Sequence, residues 1–171
     1  MKMYVVSGGP GTGKTSTVEE LGKEFQILPE AARDVSQNDS RFVGKSIKEV
    51  NPKEFQDAIF EEQKRVIDDL KGEGVIFSDR GVGDTMAYRK LKGLKISKEM
   101  DNYFKKVKYA EIFILDFLDF YEQDELRQEN EEEQKQIHQA IIDAYKELGY
   151  EPVIVPFMSV KKRVEFIKSR M

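Results

Sequence analysis

Short apolar segments alternate with longer amphipathic segments along this chain. Five of the short segments are bounded by charged residues, glycine or proline, and this pattern predicts β-strands. They span residues 3–7, 25–28, 75–78, 112–116 and 153–156. Because strands and helices alternate, we expect an α/β fold of three layers, with helices on both faces of a five-stranded, mainly parallel sheet.

Longer segments predict helices at residues 14–24, 52–71 and roughly 121–148. The second begins with Asn51 and Pro52, which are typical of an N-cap and a first helical turn. Its apolar residues then recur near a 3.6-residue period, which predicts a wide stripe packed on the sheet. The third begins in an almost wholly polar stretch, and we interpret residues 119–136 as a helical lid or as a solvent-exposed helix face.

Length and composition limit the fold to simple possibilities. The 171 residues predict one domain over residues 1–171, because no linker, repeat or change of composition divides them. Cysteine is absent and His138 is the one histidine, which excludes disulfide bonds and thiolate or histidine-cluster zinc sites. Any metal must therefore use oxygen ligands, as Mg²⁺ prefers. We interpret His138, isolated in its helix, as structural or exposed.

Charge and hydropathy also limit the partners. The formal net charge of −4 argues against nucleic acid, which usually requires a basic surface. The first apolar stretch is too short for a signal peptide or a membrane span. We therefore expect a cytoplasmic protein that has no membrane partner, and the oligomeric state stays open.

The residues after the first predicted strand match the phosphate-binding motif G-x-x-x-x-G-K-[ST], the P-loop. They are Gly8, Gly9, Pro10, Gly11, Thr12, Gly13, Lys14 and Thr15, and Ser16 follows them. Glycines let backbone N–H groups turn around a phosphate at the N-terminus of a helix. Lys14 then reaches the β- and γ-phosphates, and Thr15 offers its hydroxyl to Mg²⁺. The motif predicts binding of Mg²⁺ with ATP or another nucleoside triphosphate, and we expect loss of Lys14 to spare the fold.

Charged residues follow the third predicted strand, at the end where parallel sheets bind ligands. Asp79 is a candidate for holding Mg²⁺ through a water, for accepting the proton of an attacking hydroxyl, or for both. Arg80 is a candidate for contacting phosphate oxygens or the acceptor. Asp84 suits a substrate contact and a helix N-cap equally well. The alternatives are a strand-end cap for Asp79 and an ordinary surface position for Arg80.

Glu30 and Arg33 follow the second predicted strand. They are three residues apart, so they face the same way on a helical turn, near the expected acceptor pocket. A carboxylate and a guanidinium there suit a polar acceptor such as a ribose or a phosphate. Glu30 also competes with Asp79 for the role of catalytic base. The alternative is a surface ion pair.

Two further segments are candidates for contacting the nucleotide. Arg127, near Tyr121 and Asp124 in the polar stretch, suits a mobile arginine that closes over a transferring phosphate. The alternative is a solvated helix face. Residues 155–163, after the last predicted strand, suit either an adenine contact or a plain strand-to-helix loop.

In combination, these motifs resemble the AAA-type ATPase/kinase family that includes the ribosylnicotinamide kinase domain of bacterial NAD-regulator proteins. The similar segments are Ser-Gly-Gly-Pro-Gly-Thr-Gly-Lys-Thr, Pro-Glu-Ala-Ala-Arg-Asp, Phe-Ser-Asp-Arg-Gly-Val-Gly-Asp-Thr-Met-Ala-Tyr, Asp-Glu-Leu-Arg and Tyr-Lys-Glu-Leu-Gly-Tyr-Glu-Pro-Val-Ile-Val-Pro. They extend over essentially the whole chain. The resemblance implies a kinase-like P-loop fold, with the Asp79 strand beside the P-loop strand, and phosphoryl transfer to a small molecule.

We therefore expect a P-loop kinase that phosphorylates a small-molecule acceptor, with a nucleoside or nucleotide-like compound as one candidate. The residues expected to take part in transfer are Lys14, Asp79, Glu30 and Arg127, and those expected to contact the acceptor are Glu30, Arg33, Arg80 and Asp84. The alternative is a regulatory ATPase, or nucleotide-dependent switch, that acts on a protein partner. The sequence has no Asn-Lys-x-Asp motif, which argues against a guanine-specific switch.

Overall fold

A computed structural model describes residues 1–46, 48–117 and 125–171, and for residues 125–130 it describes the backbone alone. The elements in these ranges are β1 Lys2–Ser7, α1 Lys14–Leu21, β2 Gln26–Leu28, α2 Ala31–Asn38, α3 Pro52–Asp68, β3 Val75–Asp79, α4 Val82–Leu91, α5 Lys98–Lys106, β4 Glu111–Leu115, α6 Glu125–Glu147, β5 Val153–Val155 and α7 Val160–Lys168. The five predicted strands are confirmed, with bounds that differ by at most one residue. None of the helices in the described ranges is long and apolar enough to span a membrane.

The five strands form one sheet in the order β2-β3-β1-β4-β5, and every neighbouring pair is parallel. The central strand β1 lies between β3 and β4, with Val6 opposite Asp79 and Ser7 opposite Ile114. The strand that carries Asp79 therefore lies beside the P-loop strand, as the resemblance implied. The loop after β1 and the carboxylate of Asp79 consequently meet at the same edge of the sheet.

Helices cover both faces of this sheet. Alternate residues of β1 enter different cores, because successive side chains of a strand point to opposite faces. Val5 packs in a cluster with α3, α4, α5 and α6, whereas Tyr4 and Val6 pack in a cluster with α1 and α7. The three-layer α/β/α architecture is therefore confirmed. A smaller apolar cluster joins α2 to α3 beside the sheet.

Local sequence signals account for some helices and not for others. The side chain of Asn51 caps α3 by accepting hydrogen bonds from the backbone of Lys53 at 2.9 Å and Glu54 at 3.2 Å. The pattern of apolar residues did not predict α4 or α5. In α4 the buried face includes Gly83, Thr85 and Arg89, so this helix lacks the apolar periodicity that identifies α3.

Candidate functional site

The loop between β1 and α1 has the backbone shape of an anion-binding site. Gly8, Gly11 and Gly13 have φ angles of 150°, 78° and 74°, which side-chain-bearing residues rarely adopt. The loop is fixed internally by the hydroxyl of Thr12, which donates to the backbone oxygen of Gly9 at 2.9 Å. Since Gly13 is the N-cap of α1, the loop leads directly to the free N–H groups of a helix N-terminus.

Lys14 lies buried between two carboxylates. Its amine forms an ion pair with Asp79 and another with Glu30 at 3.3 Å, and only 8% of the side chain is exposed. We still expect the fold to survive the loss of Lys14, but with reduced stability. Removing this cation would leave two buried carboxylates without their shared partner, which is costly.

The two carboxylates differ in their electrostatic surroundings. Burial raises the pKa of Asp79 above 3.8, and the nearby Lys14 only partly opposes that effect. Burial also disfavours ionisation of Glu30, but the attraction of Arg80 and Lys14 outweighs it and lowers the pKa of Glu30 below 4.5. Glu30 is therefore fully ionised at neutral pH, and it carries its charge in contact with two cations.

Arg80 connects the P-loop to the neighbouring helices. Its φ angle of 69° lies in the left-handed region, which is unusual for a residue with a side chain. The guanidinium donates to Glu30 at 2.9 Å, to Asp84 at 3.0 Å and to the backbone oxygen of Gly8 at 3.4 Å. Arg80 is thus tied to the site, and the alternative of an ordinary surface arginine is wrong.

Asp84 supports the structure around Arg80. From the sequence, it suited a substrate contact and a helix N-cap equally well. It occupies the third position of α4 and accepts a hydrogen bond from the backbone of Gly81 at 3.0 Å, whereas Gly81 is the N-cap. It also accepts hydrogen bonds from the hydroxyls of Ser7 and Tyr145. The carboxylate therefore joins β1, α4 and α6, and it holds Arg80 in place.

The other predicted site residues are placed as follows. Thr15 is exposed beside the loop, and Ser16 is exposed one position further along α1. Arg33 is also exposed, and Glu30 pairs with Lys14 and Arg80 instead.

Arg127 lies in α6, but its side chain is outside the described residues, as are Tyr121 and Asp124. The predicted lid at 119–136 is consequently described only from residue 125, as the first half of α6.

Two cavities meet at this site. The first, of about 340 Å³, is lined by the P-loop from Gly9 to Thr15. The second, of about 270 Å³, lies between α2, α3 and α4, and its lining includes Phe55, Gln56 and Tyr88. Glu30 and Arg80 line both cavities. A ligand on the P-loop and a ligand in the second cavity would therefore meet at these two side chains.

Two residues contact the P-loop in a way that the sequence did not indicate. His138 is buried, and its Nδ1 accepts a hydrogen bond from the backbone N–H of Gly9 at 3.3 Å, so this histidine is structural and the alternative of an exposed one is wrong. Arg163 donates to the backbone oxygen of Thr12 and is 1% exposed. Its Nε and one Nη atom have no partner among the described residues. Both residues are distant from the motif in sequence, so no local pattern indicates them.

The residues at the P-loop fit a magnesium ion that is bound mainly by phosphates. Thr15 supplies an exposed hydroxyl, and Asp79 supplies a carboxylate at the end of the adjacent strand. In the described ranges, no group of three or more His, Asp or Glu side chains could hold a metal ion by itself. Mg²⁺ commonly binds in this way, through one or two protein oxygens, the substrate phosphates and water.

Solved structures share this fold. The chain is similar to thymidylate kinase from Ehrlichia chaffeensis, with a TM-score of 0.67 and 13% identity over 99% of this chain and 98% of that one. It is also similar to shikimate kinase from Aquifex aeolicus, with a TM-score of 0.56 and 15% identity over 98% of this chain and 94% of that one. These likenesses confirm the P-loop kinase fold and its strand order.

A third solved structure, the NadR protein in complex with NR, has a TM-score of 0.70 and 17% identity. The alignment covers 98% of this chain and 50% of NadR, so this chain spans about half the length of that protein. A comparison with curated proteins found no match. A family model described as an AAA domain matches residues 3–163, from β1 into α7. The chain therefore belongs to the AAA domain family.

Proposed function

We propose that this protein is a Mg²⁺-dependent kinase that transfers the γ-phosphoryl group of ATP, or of another nucleoside triphosphate, to a hydroxyl of a small nucleoside-like acceptor. The observation that carries the proposal is the shared wall of the two cavities, formed by Glu30 and Arg80. Phosphoryl transfer requires a donor phosphate and an acceptor oxygen to be held in line and close together. Two adjoining cavities with charged groups at their junction provide that arrangement.

Each charged group has a role in this proposal. On nucleotide binding, Lys14 leaves Asp79 and Glu30 and binds the β- and γ-phosphates. Asp79 would then be free to help hold a magnesium ion through a water. Arg80, held by Asp84, stabilises negative charge on the transferring group. Bound Mg²⁺ neutralises charge on the β- and γ-phosphates.

Glu30 is the better placed of the two candidate bases, because it lines the acceptor cavity. The acceptor oxygen forms a bond to the γ-phosphorus, the bond to the leaving nucleoside diphosphate breaks, and the hydroxyl proton passes to the carboxylate of Glu30. Its lowered pKa makes Glu30 a weak base. A weak base suffices, because the transition state of phosphoryl transfer is loose and the acceptor loses its proton late.

The similar structures support a small acceptor. Two of them are named as kinases of thymidylate and of shikimate, and the NadR structure contains NR. The compounds named in these descriptions are all small molecules. The cavity of about 270 Å³ lies near the lower end of the volumes usual for small-molecule sites, about 300 Å³, and it suits an acceptor of this size.

Incubation with Mg-ATP and a panel of nucleosides, nucleotides and nicotinamide riboside tests the proposal, with ADP release and the phosphorylated product followed together. We expect ADP and product in equal amounts, and a rate lowered by about 10²-fold or more in Glu30→Gln. Glu19→Gln, an exposed glutamate of α1, is the matched control and should retain the native rate. ADP release without any phosphorylated acceptor would contradict the kinase and favour the regulatory ATPase.

A further inference from the structure

Gln56 has a buried polar atom that lacks a hydrogen-bond partner in the part of the chain that the structure describes. This residue of α3 lines the second cavity and is 4% exposed. Its Oε1 has no hydrogen-bond partner among the described residues. Buried polar atoms nearly always have a partner, because leaving one unpaired is costly. The side chain therefore has a hydrogen-bonding capacity that a ligand of this cavity can use.

A second glutamine on the same helix provides an internal comparison. Gln63 lies about two turns later on α3, lines the same cavity and is 6% exposed. Its Oε1 accepts a hydrogen bond from the hydroxyl of Thr85 at 2.8 Å. Gln63 is thus satisfied within the fold, whereas the equally buried oxygen of Gln56 is not. Both glutamines lie in one continuous helix, so a general instability of α3 would affect them alike. It therefore does not explain why Gln63 has a partner and Gln56 does not.

The rest of the cavity indicates which chemistry Gln56 would meet. Apolar and aromatic side chains, including Phe55, Ile59 and Tyr88, form much of the lining. Phe55 is held by an edge-to-face contact with Phe42, at 5.2 Å between ring centroids. The buried charge of Arg80 is already paired with carboxylates. A neutral amide in such a setting favours an uncharged planar group over a carboxylic acid.

We propose that Gln56 determines acceptor specificity by hydrogen bonding to the polar edge of a planar heteroaromatic ring. The amide presents a donor beside an acceptor, which matches the carbonyl and amino groups of a pyrimidine or a ring carboxamide. Its terminal torsion is soft, so a small rotation is enough to align it with a ligand. The inference rests on the proposed function, because Glu30 and Arg80 would hold the acceptor hydroxyl at the junction with the P-loop cavity.

Calorimetric titration without nucleotide tests this inference. The probes are uridine, cytidine, thymidine and nicotinamide riboside, with ribose and shikimate as acceptors that lack a planar polar ring. We expect at least one nucleoside to bind the native protein measurably more tightly than ribose and shikimate. Gln56→Met keeps the length of the side chain without the amide, and it should weaken nucleoside binding about tenfold to a hundredfold.

Thermal unfolding distinguishes a binding residue from a structural one. Without ligand, Gln56→Met should melt at the native temperature or above it, because an unsatisfied buried oxygen is removed. Gln63→Met should melt lower, because the hydroxyl of Thr85 loses its acceptor. Gln139→Met, at an exposed glutamine of α6, should change neither melting nor binding.

The inference is overturned if no nucleoside binds the native protein, if ribose or shikimate binds as well as the nucleosides, or if Gln56→Met binds nucleosides with native affinity. The panel on the native protein decides the first two outcomes even if the variant fails to fold. Failure of the proposed kinase looks different. Nucleosides would then bind through Gln56, but no phosphoryl group would be transferred when Mg-ATP is added.

Discussion

Glu30 and Asp79 share Lys14 as a neighbour but occupy different electrostatic environments. Arg80 contacts Glu30 directly, whereas burial dominates at Asp79. This difference separates their proposed roles. Glu30 lines the acceptor cavity and stays ionised, whereas Asp79 does not line that cavity. Two carboxylates whose surroundings shift their pKa values in opposite directions are typical of sites with divided roles.

The first prediction concerns the pH dependence of stability that comes from Glu30. Its folded pKa lies below 4.5, so its ion pairs stabilise the protein above that pH, and the stabilisation is lost as the pH falls through the folded pKa. Glu30→Gln should therefore lower the free energy of unfolding by about 2 kcal/mol at neutral pH, and by progressively less below pH 4.5. Urea unfolding across the acid range, with Glu19→Gln as the control, measures the difference. A difference between Glu30→Gln and the native protein that does not change with pH would contradict the assignment.

The residues of the site could be predicted from the sequence where their signal is local. The P-loop from Gly8 to Thr15 is one continuous motif between a strand and a helix, and the structure places it there. Gln56 instead lines the second cavity, and His138 and Arg163 contact the P-loop backbone, all from distant parts of the chain. Their importance depends on tertiary contacts and on an unsatisfied atom, which no spacing rule contains.

Among the elements, strands were easier to predict than helices in this chain. Each buried strand is a short apolar run with clear boundaries, and the predicted bounds of all five strands were correct to one residue. The helix α4 was missed because its buried face carries a glycine and polar side chains. Gly83 is explained by α6, whose Tyr145 packs directly against it, whereas Thr85 and Arg89 bond to Gln63 and Asp57 of α3.

The second prediction concerns the contact between these two helices. Alanine is usually a better helix residue than glycine, by about 1 kcal/mol. At Gly83, however, an added Cβ would lie 2.6 Å from the ring of Tyr145, which is fully buried and donates to Asp84. Gly83→Ala should therefore lower the free energy of unfolding by about 2 kcal/mol, because the ring cannot move without breaking that hydrogen bond.

Denaturant unfolding measures this effect, with Gly22→Ala as the matched control. Gly22 ends α1 with a φ angle of −64°, and an added Cβ there meets nothing closer than 3.2 Å. The control should change the free energy of unfolding by less than about 1 kcal/mol. Equal stabilities for the two variants would show that α4 can move away from Tyr145.

At the scale of the whole molecule, the order of the strands creates the site. With β1 in the centre, the P-loop opens between β3 and β4, and the helices after β2 and β3 enclose the second cavity beside it. The alternation of strands and helices predicted this class of fold. It did not predict that Lys14 would pair with both carboxylates, because that contact requires three separate strand ends to be side by side.

The last prediction follows from this pairing, because Lys14 serves both stability and nucleotide binding. Native protein with Mg-ATP at a hundred times its dissociation constant should gain about 2.7 kcal/mol, or about 5–10 °C in melting temperature. Lys14→Ala should lose this gain and, without nucleotide, should be about 3 kcal/mol less stable than the native protein, because two buried carboxylates lose their cation. Lys23→Ala, which removes an exposed lysine just after α1, is the control and should keep both properties. A native melting shift in Lys14→Ala would place the nucleotide elsewhere, whereas native stability without nucleotide would mean that Asp79 and Glu30 do not depend on this lysine.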